Sequence, residues 1–377
     1  MACSRCIIPD SYPGITFENG LCTFCRRHDT SPHVRRELLG EDKLREKILS
    51  RKSGEYNCIV PLSGGKDSSY ILLHLSRNMG LKPLAVHFDS GFIEEQTKSN
   101  IEKLCNALSV ELAVVKASKY RKKMLQESMK MAQYGKFAGV SGLGGACIAC
   151  ENSTRTAAIT EAKKRNIPFV IWGSTDFEDS PDAFLSPSQQ TFRDTYGEHS
   201  GKWSISRIAG FYDSLVGDYR VLKYFWHIPF MLRCARHLSY RLKYNAEMGI
   251  TKGLSGLDPF FEVSFKGTGL ETLFFFEYIP YNPFKHMEEL NREAGWETLA
   301  GKQVRQDCML HHLLNYRTYA KTGLSHDGFF LTVLIREGLL TREQALEKEN
   351  AVTGHLRDNV ERVLKTLDID IPLEKLV

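Results

Sequence analysis

In the stretch "PLSGGKDSS", Ser63 precedes a pair of glycines, Gly64 and Gly65, and Lys66, Asp67 and Ser68 follow. Glycines let a backbone approach an anion with no Cβ in the way. The first N–H groups of a helix are unpaired and aim at that anion. Ser63 and Ser68 can add hydroxyl bonds, and Lys66 adds positive charge. The spacing is not the G-x-x-x-x-G-K-[ST] of a Walker A loop. Asp67 discriminates further. A carboxylate among phosphates repels them unless a cation lies between, and Mg²⁺ binds through one or two carboxylates plus phosphate oxygens. The loop therefore reads as a cradle for a Mg²⁺-bound nucleotide. The plainer reading is an ordinary strand–helix turn.

Six of the ten cysteines fall in C-x-x-C pairs. Cys3/Cys6 and Cys22/Cys25 are fifteen residues apart, the spacing of a four-cysteine zinc site built from two knuckles. Such a closed site is structural and staples a segment too small to fold alone. An iron–sulfur centre and metal-free cysteines are the alternatives. The third pair, Cys147 and Cys150, follows four glycines in "GVSGLGGACIAC" and leads into a helix. It reads either as a substrate loop packed at a helix start, or as two ligands of an iron–sulfur cluster with Cys234 or Cys308 as the third.

These residues need a scaffold. "YNCIVPL", "KPLAVHFDS", "ELAVVKA" and "IPFVIWGS" read as strands and alternate with helical stretches. That pattern predicts an α/β fold with a parallel sheet. The expected segments are a zinc ribbon over 1–30, an exposed helical linker over 31–55 and a nucleotide-binding domain over 56–180. A substrate or partner region over 181–284 and a mainly helical region over 285–377 complete the chain. "FFFEYIPYNPF" reads as strand-like, and Thr341 with Gln344 reads as a capping box opening a helix.

The chain has 377 residues, 42% hydrophobic and 25% charged, with a formal net charge of +5. That is globular composition, only mildly basic, and it argues against a dedicated nucleic-acid binder. No charge-free run reaches the roughly eighteen residues of a membrane helix. "MACSRCIIPD" has no signal-peptide core, so a soluble cytoplasmic protein is expected. Residues 203–245 are unusually aromatic and basic. They read as an amphipathic helix packed on the sheet, or as a docking surface for a partner, nucleic acid or a membrane.

S-G-G-x-D-S after a first strand resembles the PP-loop, or N-type, ATP pyrophosphatases. That resemblance implies cleavage of ATP to AMP and pyrophosphate. The loop would hold the pyrophosphate end while a substrate carbonyl oxygen is adenylated, and a nucleophile then expels AMP. Lys66 and Asp67 become the catalytic candidates. His87, Phe88 and Asp89, at the second strand's end, become candidates for the base and ribose. Gly173 and Ser174, at the fourth strand's carboxyl end, sit where open α/β sheets bind ligands.

The order of "CSRCIIPDSYPGITFENGLCTFC", the glycine loop, "FFEYIPYNPFKHMEELNREAGWE" and "DCMLHHLLNYRTYAKTGLSHDGFFLTVLIREGLLTREQALE" resembles the N-acetyl sugar amidotransferases of surface-polysaccharide biosynthesis. The resemblance is weakest over 177–265. It implies ATP, Mg²⁺ and Zn²⁺ as cofactors, an N-acetylated amino sugar as substrate, and ammonia from a separate HisH-type glutaminase. Two departures stand out. Trp172-Gly173-Ser174 replaces the family's W-G-E, and "GLSHD" at Gly323–Asp327 replaces its G-R-A-T-D. A tRNA thiolase of the same superfamily, with an iron–sulfur site, is the second reading. A non-catalytic zinc-ribbon scaffold is the third.

Overall fold

The computed structural model describes residues 3–30, 37–51, 54–132, 144–177, 228–250, 263, 267–298, 305 and 307–376. The glycine-rich segment 133–143, the loop 180–190 and the first half of the aromatic-basic stretch, 203–227, lie outside them. The chain divides into two compact units. The first comprises Met1–Ala117, Cys150–Asp179 and Glu262–Val363; the second comprises Ser118–Ala149, Ser180–Phe261 and Leu364–Val377.

The first unit opens with a small hairpin, β1 (Phe17–Glu18) and β2 (Leu21–Cys22), followed by α1 (Thr23–Thr30) and α2 (Glu41–Leu49). Of the expected helical linker, residues 31–36 and 52–53 lie outside the described residues, and within the described part the helix spans Glu41–Leu49. Gly40 sits at φ +92° just before it, and Leu44 and Ile48, four apart, bury one face.

Then come β3 (Cys58–Pro61), α3 (Lys66–Leu73), β4 (Pro83–Asp89), α4 (Glu95–Leu108) and β5 (Leu112–Lys116). After α5 (Tyr120–Ala132), which belongs to the second unit, α6 (Gly144–Arg165) leads to β6 (Phe169–Trp172). The five-stranded sheet runs β5-β4-β3-β6-β7 with every pair parallel. The apolar runs of β3, β4 and β6 are almost wholly buried, as central parallel strands require. Edge strand β5 is only partly covered. Ala157, Ala158 and Ala162 of α6 pack on Ile59, Leu84, Val86 and Val170, their small side chains letting helix and sheet approach.

The fifth strand is β7 (Glu271–Phe274), paired with β6 from Phe169↔Glu271 to Trp172↔Phe274. The strand-like "FFFEYIPYNPF" thus contributes only its first residue to the ladder; Phe275–Glu277 form a 3-10 turn. Phe275 and Phe276 are both buried, which consecutive strand positions on opposite faces of an edge do not favour. Helices α8 (Pro283–Ala294), α9 (His311–Thr322), α10 (His326–Arg336), α11 (Arg342–Thr353) and α12 (Leu356–Thr366) follow; α7 (Ile228–Glu247) belongs to the second unit. The capping box is present, with Thr341 Oγ1 accepting from Gln344 N–H and Gln344 Oε1 accepting from Thr341 N–H.

In the second unit α7 (Ile228–Glu247) packs along α5, with Tyr120 and Tyr240 stacked at 6.3 Å and Arg233 3.4 Å from Glu127. Within that unit the described part of the aromatic-basic stretch therefore rests on a helix. No described helix is long and apolar enough to cross a membrane.

Candidate nucleotide loop and cysteine centre

The strand order makes β3 and β6 neighbours from which the chain winds outward in opposite directions. Their carboxyl ends flank a topological switch point, the place where open parallel sheets bind ligands. Ser63–Ser68 leaves β3 there, and Gly173 and Ser174 leave β6.

The loop is closed on itself. Ser63 Oγ lies 3.1 Å from Ser68 Oγ and accepts from the Gly65 N–H at 3.2 Å. Gly64 has φ +85°, and a Cβ there would lie 2.5 Å from Thr97 Cγ2 and 2.8 Å from Ile101 Cγ1. Helix α4 therefore presses on the loop where only glycine fits. Gly65 is the N-cap of α3, so the free N–H groups of that helix open at the loop.

Lys66 Nζ donates to Asp67 Oδ2 at 2.7 Å, and the lysine side chain is only 3% exposed. Its ammonium lies over the rings of Phe330 at 5.3 Å and Tyr281 at 5.9 Å. Phe177, just past Ser174, packs on Tyr281 at 4.7 Å, which brings the β6 end to the same group. His286 stacks on Tyr70 at 3.8 Å, and its Nδ1 lies 4.0 Å from Asp67 Oδ1. Burial, and then the Lys66 charge, push His286 down to about 3, so it is neutral. Asp307 also reaches the loop: its Cβ would lie 3.6 Å from a Cβ on Gly65.

The other candidates make contacts within the fold. His87 Nδ1–H donates to the Leu62 carbonyl at 2.7 Å, tying β4 to the strand end that feeds the loop, and burial lowers its pKa. Phe88 is buried. Asp89 Oδ1 accepts from the Gly91 N–H at 2.9 Å. A Cβ on Gly173 would lie 3.0 Å from Ile71 Cδ1 of α3. Tyr281, His286, Asp307 and Phe330 were not among the sequence candidates. They come from segments more than two hundred residues after the loop, and no local pattern pairs them with it.

The chemistry of the set fits phosphates with a metal ion. It offers a helix start, two hydroxyls, one buried ammonium, and two carboxylates, Asp67 and Asp307.

The four N-terminal cysteines converge, all buried, with their sulfurs within 4.8 Å of one another. A tetrahedral zinc with sulfurs at about 2.3 Å sets edges of about 3.8 Å. Cys3 Sγ lies 3.8 Å from Cys25 Sγ, and Cys6 Sγ lies 3.7 Å from Cys22 Sγ. The Cys22 N–H also donates to Cys3 Sγ at 3.3 Å. The four residues therefore fit a structural zinc.

This segment packs on the C-terminal helices. Phe24 meets Phe329 edge-on at 5.3 Å, Ser11 Oγ donates to the Thr322 carbonyl, and Arg342 Nε donates to the Cys6 carbonyl. Of the third pair, Cys150 is half-buried, and the side chain of Cys147 lies outside the described residues. Both sit inside α6, which begins at Gly144 rather than after the cysteines.

No protein-family model and no curated protein matches the chain. Among solved structures it is similar to the NH3-dependent NAD synthetase from Campylobacter jejuni, determined in complex with nitrate ion. The identity is 17% and the TM-score 0.27, over 56% of this chain and 94% of that one. An overlap of that quality carries no functional inference, so the site stands on its own geometry.

Proposed function

We propose that this chain is an ATP-dependent, AMP-forming amidotransferase that converts the acetamido group of an N-acetylated sugar to an acetamidino group. The observation that carries the ATP half is the glycine loop at the sheet's switch point, with the Lys66–Asp67 pair at the start of α3. The sugar half rests on the resemblance of the cysteine segment and the C-terminal helices to the N-acetyl sugar amidotransferases.

In this reading Ser63, Gly64, Gly65 and Ser68 hold the pyrophosphate end of ATP. Lys66 turns to a phosphate oxygen, and Asp67 is freed to hold Mg²⁺. His87, Phe88, Asp89, Gly173 and Ser174 border the nucleoside. The acetamido oxygen attacks the α-phosphorus, a P–O bond forms, and pyrophosphate leaves with the electrons of the broken anhydride bond. Ammonia adds to the imidate carbon. The C–O bond then breaks, AMP carries away the oxygen, and a proton leaves the nitrogen. An amide oxygen is a poor leaving group, so activation as a phosphate ester supplies the drive. Closing the site keeps water from replacing ammonia. Zinc at the four cysteines is structural. A glutaminase partner supplies ammonia, and the product enters surface-glycan biosynthesis.

The test is incubation with ATP, Mg²⁺, an ammonium salt and a nucleotide-linked N-acetyl sugar whose acetamido oxygen is isotopically labelled. The expected result is pyrophosphate release with the label in AMP and nitrogen in the sugar. Label in AMP without new nitrogen would point to another nucleophile. ATP cleavage on tRNA with sulfur transfer, and none on sugars, would overturn the reading in favour of thiolation.

A further inference from the structure

His311 opens α9, and His326 and Asp327 open α10. All three are buried, and one donor atom from each lies within 4.8 Å of the others. His311 Nε2 is 2.7 Å from Asp327 Oδ1, and the two imidazole rings stand nearly perpendicular with centroids 5.1 Å apart.

An outer partner fixes the carboxylate. Asn315 Nδ2 donates to Asp327 Oδ2 at 3.1 Å, and Asn315 Oδ1 accepts from the Asp327 N–H at 3.0 Å. That clamp leaves Oδ1 turned toward His311, the arrangement that hydrogen-bonded outer groups give to metal ligands. The charged groups facing the cluster are Arg305, toward His326, and Glu349, toward Asp327.

The cluster adjoins the glycine loop. Phe330, one helical turn on from His326, lies under the Lys66 ammonium. Asp307, four residues before His311, reaches Gly65.

We propose that His311, His326 and Asp327 form a second metal site, for a first-row divalent cation, separate from the four-cysteine centre and beside the nucleotide loop. Two imidazole nitrogens and one carboxylate oxygen suit zinc, manganese or iron(II) rather than magnesium. Donor atoms 2.7 Å apart, each about 2.1 Å from a metal, subtend about 80° there, within octahedral range. Three protein ligands leave coordination positions open, as in catalytic rather than structural sites. His311 must then carry its proton on Nδ1, and its hydrogen bond to Asp327 is replaced by two bonds to the metal. The bland reading of the same cluster is a His–Asp pair joining two helices, which takes up no metal.

The test uses full-length protein, titrated with Co²⁺ and, in parallel, with Mn²⁺. Cobalt at the cysteines gives intense sulfur-to-metal absorption. Cobalt at the new site gives only weak visible bands, so the two sites are told apart whatever the cysteines hold. The expected result is one added equivalent without the sulfur band, and loss of the Mn²⁺ paramagnetic signal at the same stoichiometry. His326→Ala and Asp327→Asn should abolish that equivalent, and Asn315→Ala should weaken it by about tenfold to a hundredfold. The cysteine signal should persist in all three. Wild-type protein that takes up no metal beyond its cysteines overturns the proposal, whether or not a variant folds. So does an added equivalent that survives in both ligand variants. Because the readout is metal content, failure of the sugar reaction leaves this result untouched.

Discussion

Lys66 and Asp67 are consecutive residues whose side chains pair at 2.7 Å, with the lysine almost fully buried. The loop therefore stores its cation and its carboxylate as one neutral unit. From sequence alone Asp67 reads as a metal ligand rather than a core group, a role that Asp67→Asn would remove without touching the fold. The pairing alters that expectation. Asp67→Asn takes the charged partner from a buried ammonium, and breaking a buried pair from one side costs about 3–5 kcal/mol. We expect loss of the proposed ATP-dependent turnover together with a lower melting temperature. Lys66→Met combined with Asp67→Asn should recover much of the stability and none of the turnover. A single variant as stable as wild type would show that the pair is not a buried unit.

Gly64 is held by two independent constraints, its φ of +85° and the approach of Thr97 and Ile101. Gly80 has φ +61° and open space around it. Alanine at Gly80 should cost about 1 kcal/mol, the conformational term alone. Alanine at Gly64 should cost that plus about 1–3 kcal/mol of overpacking, and should displace the loop. Chemical denaturation of both variants, with nucleotide binding by calorimetry, compares them. Equal losses would mean that α4 yields and the loop is not tightly braced.

His286 sets a pH window for stability. Its folded pKa is pushed down to about 3 by burial and by Lys66, against about 6.5 in an unfolded chain. Lys66, His74, Asp67 and Tyr70 face it. Between those pH values the unfolded state binds a proton that the folded state does not. Stability is therefore fully present above about 6.5 and falls as pH drops toward 3, by up to about 1.4 kcal/mol per unit for this group. His286→Phe keeps an aromatic face on Tyr70 and should flatten that slope in urea titrations between pH 4 and 6.5. An unchanged slope would place the proton uptake elsewhere.

The parts that were legible in the sequence are those with local signals. The runs "CIVPL" and "PLAVHFD" are short, mostly apolar and bounded by turn signals, as buried parallel strands are. Gly64 and Gly65 mark the turn by their backbone freedom, and Thr341 with Gln344 marks a helix start through side chain–backbone bonds three residues apart. The cysteine knuckles are equally local. What could not be read was long-range. Glu271–Phe274 joins β6 across about a hundred residues, and four residues of "ETLF" carry no pattern that selects a parallel edge. His286, Tyr281 and Phe330 reach Lys66 through tertiary packing alone. The His311–His326–Asp327 cluster is split across two helices, so its donors look like unrelated polar positions until α9 and α10 are set side by side.

The cysteine centre and its docking can be separated experimentally. Zinc would fold residues 3–30, and the folded segment then presents Phe24 and Tyr12 to Phe329 and the Cys6 carbonyl to Arg342. Docking therefore depends on the metal, but the metal site, whose ligands all come from the segment itself, does not depend on docking. Chelation, or Cys22→Ala, should remove the metal and the docking together. Phe329 is 1% exposed, so Phe329→Ala should cost about 3–5 kcal/mol in the C-terminal helices while the metal at the four cysteines stays bound. Metal analysis alongside hydrogen exchange reads both quantities. Chelation should speed amide exchange in residues 3–30 and in the part of α10 they cover. Phe329→Ala should speed exchange in α10 and leave the amides around Cys3 and Cys22 protected. If Phe329→Ala also strips the metal, the four thiolates need the helices to converge, and the segment is not a self-contained staple.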